Sequence, residues 1–439
     1  MALLTRRAIL GMAAGVGGLL TACRVAGRPA TQEGQPTIGP TTLEHMDWWS
    51  PEASQLHKEY FEGLAKEINE RYPQITVKYV FAPNTTGVRE KWIVLSAAGT
   101  PVDTSQVSVA FVRYLMEADL LEPLDSYMAR TPHMALSNFV DTGLFYNTYQ
   151  GKHYGVPYDG PATGVIAYNI EHFREVGLNP SREFTWKWTA EQFLDAARRL
   201  VKREGEQIVR GGFTPPGGGS ESFCRWLYPF GGKFYAPDYK RVLFNDQKGR
   251  DTLQFMVDLR HKHNIANPTQ GATFENEQIS MVISGSWASG YHLERNPNLK
   301  FDFAPYPRGP QGQQPGSVTW TNMWSMAKAS TKKEAAWLWM SYVNAEPTLE
   351  RWFAGHYKRA AGRKEFYKSE AWKQVTRQYP SLVDIEKLAD MSGEYPWVKP
   401  DEITRETADL WRRIINNEIA VNEALNQMEQ ICNRILAGG

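Results

Sequence analysis

The sequence predicts an α/β fold in which a mostly parallel sheet is covered by helices, and two observations carry that reading. Strand-like and helix-like hydrophobic periods alternate from residue 43 onward. The 439 residues also exceed what one hydrophobic core organises, which points to two or more domain-sized bodies.

The first strand is expected over 43–49. Ser50-Pro51-Glu52 then supplies an N-cap, a proline at the first helical position and an early acid. Ala53, Leu56, Tyr60, Leu64 and Ile68 recur every three or four residues and give that helix one buried face, which Pro73 helps to end. Ile75, Val77, Tyr79 and Phe81 alternate with Thr76, Lys78 and Val80, as in a strand with one face buried, which completes a β-α-β unit. A strand over 106–111 and a short helix over 112–118 continue the alternation. Thr189-Ala190-Glu191-Gln192 is a capping box, and Phe193, Leu194, Ala197, Leu200 and Val201 line one side of the helix it opens. Residues 211–219 form a Gly/Pro loop, 279–283 a short apolar strand and 332–343 a further helix. Val421, Leu425, Met428, Cys432 and Ile435 stripe a last helix.

Ahead of this body lies a leader. Residues 1–7 are basic and 8–22 apolar, a run too short to cross a bilayer, so 1–22 reads as a signal peptide. Arg6-Arg7 leaves the twin-arginine and general routes both open. Leu20-Thr21-Ala22-Cys23 resembles the bacterial lipobox, which would lipidate Cys23 and leave 23–42, rich in Gly, Pro, Thr and Gln, as a flexible tether. The expected location is the outer face of the cytoplasmic membrane or the periplasm. Cys224 and Cys432 sit in apolar settings and read as buried thiols rather than a disulfide.

Cleavage removes two arginines and leaves 417 residues with 47 basic and 48 acidic side chains, a balance that attracts no nucleic acid. The 15 Trp and 20 Tyr stand out in an otherwise polar chain. Most are expected in the core, but several adjoin Gly, Pro, Asn or Asp, where a flat ring with a polar edge suits a pocket wall.

A series of phrases then appears in a fixed order. Trp48-Trp49 is followed by Tyr72-Pro73-Gln74-Ile75-Thr76-Val77, Gly99-Thr100-Pro101-Val102-Asp103, Leu121-Glu122-Pro123-Leu124-Asp125 and Gly151-Lys152-His153-Tyr154-Gly155-Val156-Pro157. Tyr168-Asn169, Thr185-Trp186, Gly231-Gly232, Gly285-Ser286-Trp287, Lys333-Glu334-Ala335-Ala336-Trp337 and Asn422-Glu423-Ala424-Leu425 complete it. In this order the chain resembles the family 1 extracellular solute-binding proteins of ABC sugar importers. The resemblance implies a two-lobe periplasmic-binding-protein-like fold with a hinge and an interlobe ligand cleft. It places one lobe at 43–157 and 306–345 and the other at 160–302 and 348–438. It further implies a monomer that captures a mono- or oligosaccharide, delivers it to the permease subunits of an ABC importer, and uses no cofactor or metal. At 359–362 the chain reads Arg359-Ala360-Ala361-Gly362 where many relatives carry a proline.

A saccharide offers apolar C–H faces and a rim of hydroxyls, so its binder needs flat rings together with carboxylates or amides. Candidates are Trp48 and Trp49 after the first strand, Asp103 after Gly-Thr-Pro, and Tyr158 and Asp159 at the first crossover. Trp226, Trp287 and Trp397 join them, with Trp320, Asn322 and Trp324, which share one face if that segment is extended. Core packing or turn capping is the competing role for each.

Other chemistries find little support. The 211–219 loop lacks a following Gly-Lys-Ser/Thr, His261 and His263 fall on different sides of a helix, and Ser284-Gly285-Ser286 is not a nucleophile turn. No catalytic residue is therefore assigned. A lipid-anchored carbohydrate-active hydrolase, a binder of a non-sugar solute and a polymer-sensing lipoprotein remain the alternatives, because carboxylate pairing is a spatial property.

Overall fold

The computed structural model describes residues 38–438; the expected signal peptide, Cys23 and all but the last residues of the tether lie outside the described residues. The chain opens with β1 (Thr41–Asp47), α1 (Gln55–Arg71), β2 (Ile75–Phe81), α2 (Thr85–Ala97), β3 (Thr104–Val107) and α3 (Val109–Glu117). β2 and β3 pair in parallel on either side of β1, with Thr41 opposite Ile75 and His45 opposite Thr104.

The first strand lies two residues earlier than the expected 43–49 and the strand expected at 279–283 two residues later, and two helix starts also differ from the sequence reading. Helix α1 starts at Ser54, whose side chain accepts from the Leu56 amide, because Ser50 is occupied in closing a turn of its own. Likewise Ser108 caps α3 through the Ala110 amide, so β3 ends and the helix begins a few residues earlier than the apolar run suggests.

After β4 (Val156–Pro157) the chain crosses into a second sheet through β5 (Ala162–Asn169), all eight residues of which are buried. α4 (Ala190–Arg199) carries the expected capping box between Thr189 and Gln192, and α5 (Ser220–Leu227) follows the Gly/Pro loop. β6 (Met281–Gly285), α6 (Ser289–Arg295), β7 (Phe301–Ala304) and β8 (Val318–Trp320) come next. β6 pairs along one edge of β5, while β7 and β8 lie end to end along the other, all antiparallel to it. The second sheet is thus mainly antiparallel, not the mostly parallel arrangement expected.

The chain returns to the first sheet as β9 (Met323–Met326), antiparallel to both β3 and β4, then forms α7 (Lys333–Val343). β8 belongs to the second sheet because Thr319 pairs with Thr163, so the return falls at Thr321–Asn322 rather than between 302 and 306. A short β10 (Gly393–Glu394) edges β8, and α8 (Pro400–Ile415) and α9 (Val421–Ala437) close the fold.

Strand alternation distributes the core. Ile166 and Tyr168 of β5 point into one buried cluster and Val165 and Ala167 into the other, and Met323 and Trp324 of β9 divide in the same way. Each cluster fills one face of both sheets, with Met46 and Trp226 in the first and Leu43, Tyr60 and Phe301 in the second. Cys224 and Cys432 are buried free thiols, and burial pushes Cys432 up to about 12. Among the described residues no helix is long and apolar enough to cross a membrane, and no group of three His, Cys, Asp or Glu side chains is placed to hold a metal.

One buried acid of the core gives a pH prediction. Asp302 in β7 is 5% exposed, and burial raises its carboxyl to about 6, although the Ser381 hydroxyl and the Phe303 amide donate to it. The folded chain therefore binds one more proton than the unfolded chain between about pH 4 and 6, and that share of stability fades as pH rises through 6. The unfolding free energy of Asp302→Asn relative to wild type should rise across this window by at most about 3 kcal/mol. Denaturant unfolding at pH 4, 5.5 and 7 checks it, and a flat difference contradicts it.

Candidate functional site

The two sheets are joined where chain segments run side by side. The Tyr158 amide donates to the Asn322 carbonyl at 3.1 Å, and the Gly362 amide to the Tyr158 carbonyl at 3.1 Å, so residues 157–162, 320–323 and 359–362 form one strap. Gly160 belongs there because its φ of 115° is open to glycine, and a Cβ would stand 2.7 Å from the Ala162 amide and 2.8 Å from the Thr321 hydroxyl.

Above this strap lies a cavity of about 430 Å³ with walls from both sheets. The first sheet contributes the β1–α1 loop with Trp48 and Trp49, the first turn of α1 with His57, and the start of α3 at Ser108; the second contributes Glu221, Trp287, Tyr291, Trp320 and Tyr395. The loops after β1 and β3 are where open α/β sheets place ligands, since helices there begin by pointing their amides into the crevice.

The wall is aromatic in an ordered way. Trp287 and Trp320 meet edge to face at 5.1 Å, and Tyr395 meets Trp320 at 5.6 Å with a similar tilt. Trp287 folds back over Gly285, where a Cβ would overlap its ring at about 2 Å, so the Gly285-Ser286-Trp287 phrase has a steric cause. Trp48 is half-buried, whereas Trp49 is 4% exposed and only borders the cavity. Trp49 stacks on His57 at 5.6 Å, and the Arg359 guanidinium lies over it at 4.8 Å.

The floor is polar and paired. Asp159 accepts from Arg359 at 2.5 Å, from the Asn322 amide at 2.8 Å and from the Asn322 side chain at 3.0 Å, and the Asp159 and Arg359 side chains are only 2% and 3% exposed. Glu221 is held by Arg225 and by the Tyr395 hydroxyl at 2.9 Å. Arg225 in turn lies 5.4 Å over the Trp320 ring. Burial, ahead of the nearby Glu221 charge, pushes the Tyr395 hydroxyl well up and keeps it a donor; burial lowers His57.

Beyond the cavity the lobes touch again. Glu294 of α6 accepts from the Ser54 hydroxyl at 2.9 Å and the Gln55 amide at 2.7 Å, which closes the N-terminus of α1 from the opposite lobe. Tyr291 meets His57, and Arg89 of α2 pairs with Asp401 of α8.

Of the candidate side chains, Trp48, Trp49, Asp159, Trp287, Trp320 and Asn322 come together in this wall. The other five stand elsewhere. Asp103 binds the Glu44 amide, Ser330 and Lys332, and so ties β1 to the turn before α7. Tyr158 is fully buried against Tyr60 because it neighbours Asp159 in an extended segment, where adjacent side chains point to opposite faces. Trp226 packs edge-on against Tyr306 at 4.7 Å in the core. Trp324 stacks on His45 at 4.1 Å, because the switch of sheets at Thr321–Asn322 breaks the single face expected for 320, 322 and 324. Trp397 is buried beside Tyr146, with its indole N–H on Glu394 at 3.1 Å.

Sequence reasoning missed His57, Glu221, Tyr291, Arg359 and Tyr395 in this wall. Two had a signal: Glu221 follows the glycine-rich loop at a helix start, and Arg359 opens the Arg359-Ala360-Ala361-Gly362 segment that the sequence reading singled out for lacking an expected proline.

Comparison with known proteins agrees with this architecture. The model of the family described as bacterial extracellular solute-binding protein matches residues 54–348. An uncharacterised ABC transporter extracellular-binding protein of Pyrococcus horikoshii is 26% identical over 296 residues, which span 62% of this chain and 64% of that protein. An arabinooligosaccharide-binding protein of Halalkalibacterium halodurans is 23% identical over 271 residues, 58% of each chain. An ABC transporter solute-binding protein of Thermotoga lettingae, solved with α-D-tagatose, superimposes with a TM-score of 0.76 at 21% identity, covering 90% of this chain and 99% of that one. With a family match that covers about two thirds of the chain and takes in every strand of the two sheets except β1 and β10, this chain belongs to the bacterial extracellular solute-binding proteins.

Proposed function

We infer that this chain captures a mono- or oligosaccharide between its lobes outside the membrane and hands it to the permease of an ABC importer. It does so as a monomer held by a lipid on Cys23. The observation that carries the reading is the cavity, whose tryptophan wall suits the C–H faces of a sugar while its two buried or half-buried acids are each engaged by an arginine. Such a site offers a neutral, hydroxyl-bearing guest both stacking and hydrogen bonds, and offers little to a metal, a phosphate or a polyamine. Relatives named for an arabinooligosaccharide and solved with tagatose support the same class of solute. Contacts across the cleft, such as Glu294 on the start of α1, suit lobes that close on their guest. Binding is favoured over hydrolysis because the proton donor that glycoside cleavage requires would have to be an acid already engaged by an arginine.

A thermal-shift panel of maltotriose, mannotriose, arabinotriose and tagatose tests the reading, since a ligand selective for the folded state raises the melting temperature. At least one saccharide should raise it by several degrees and be recovered unchanged. No shift with any saccharide, alongside a shift with amino acids or peptides, contradicts it, and turnover favours the hydrolase.

A further inference from the structure

Glu221 differs from the other charged groups of the cleft. Asp159 and Arg359 are both nearly inaccessible, so the cavity sees their charges as a cancelled pair. The Glu221 side chain is 40% exposed while its partner Arg225 is 11% exposed, so the carboxylate faces the cavity and the guanidinium lies behind it. Arg225 also covers Trp320 and donates to the Ser284 carbonyl at 3.3 Å, beside the strand end that bears Trp287. One buried cation thus fixes the acid and two aromatic walls in a single arrangement. Arg295, also in the wall, is 65% exposed with Glu275 at 3.7 Å, so solvent and that acid screen its charge.

A carboxylate has about four lone-pair positions. Arg225 and the Tyr395 hydroxyl take two, which leaves about two for donors from a guest. We propose that Glu221 sets the charge selectivity of the site: it accepts from hydroxyls at the edge of a neutral saccharide whose face covers Trp320, and it excludes uronates and sugar phosphates from that position. The proposal rests on the saccharide reading above and narrows it to neutral sugars. A guest hydroxyl has donors to offer Glu221, whereas a guest carboxylate has none and repels it. At about 4 Å in a partly shielded cleft, and with the Arg225 cation behind the acid offsetting part of it, that repulsion is worth about tenfold in affinity.

Calorimetric titration of wild type, Glu221→Gln and Tyr395→Phe with maltotriose, mannotriose, arabinotriose, tagatose and trigalacturonate tests this. In wild type a neutral saccharide should bind at least about tenfold more tightly than trigalacturonate. Glu221→Gln should weaken that neutral saccharide by about tenfold to a hundredfold and narrow the gap to trigalacturonate. Tyr395→Phe, which keeps both charges, should weaken it by about threefold to tenfold and shows the effect even where Glu221→Gln folds poorly for want of a partner to Arg225. Equal binding of trigalacturonate by wild type, or undiminished neutral binding by both variants, overturns the proposal and leaves the saccharide reading standing. Failure of all five probes overturns the saccharide reading, and this proposal with it.

Discussion

Replacing Arg359 by alanine should cost the folded chain about 3–5 kcal/mol, because it leaves the Asp159 carboxylate buried without its cation. Asp159 is 2% exposed at its side chain and keeps only the two Asn322 donors once the guanidinium is gone. The packing of Arg359 over Trp49 at 4.8 Å and Phe353 at 5.3 Å goes with it. Denaturant unfolding at pH 7 measures the loss. The double variant Arg359→Ala, Asp159→Asn should recover part of it, since the stranded charge is then absent and the amide still fits the strap. A loss under about 1 kcal/mol, as for a solvent-exposed pair, would show that the strap is not held by this ion pair.

Trp287→Ala should have its main effect on binding. The ring is half-buried at the cleft and meets Trp320 edge to face, so its removal takes away one apolar wall without opening the core. A loss of about 2–4 kcal/mol of binding, some 30-fold to 700-fold in Kd, is expected of a central aromatic anchor. Trp226→Ala supplies the contrast: that indole is fully buried among Phe193, Phe213 and Tyr306, and its loss should cost about 3–5 kcal/mol of stability. Calorimetry and thermal melting on the two variants separate the roles.

The contrast between these tryptophans marks what the chain's pattern can disclose. Periodicity located the bodies of α1 and α9, and capping the start of α4 though not of α1, because Tyr60, Leu64 and Ile68, the Thr189–Gln192 box and the Leu425–Met428–Cys432 stripe are local signals. Strand direction was less legible. β5 is an all-buried run, and nothing within it states that β6, β7 and β8 all approach antiparallel. The site was half legible for the same reason. Trp287 could be placed because it follows Gly285-Ser286 at a strand end in a phrase that resembles the family's, but Trp320 and Trp324 are told apart only by the switch of sheets between them. Tyr395 and Trp397, two apart with a proline between, likewise part company, one to the wall and the other to the core. Arg359 acts through Asp159, distant in sequence, and Arg225 reaches Ser284 as well as Glu221 one helical turn before it; only the Glu221 pair follows a spacing rule.

The most direct measurement is tryptophan fluorescence of the chain titrated with the saccharide panel, on wild type and Trp287→Ala together. A saturable change at one saccharide per chain, with its midpoint moved at least about 30-fold in Trp287→Ala, is the predicted result. A change of equal midpoint in both proteins, or no change with any saccharide, would place the guest elsewhere and contradict the cleft as the binding site.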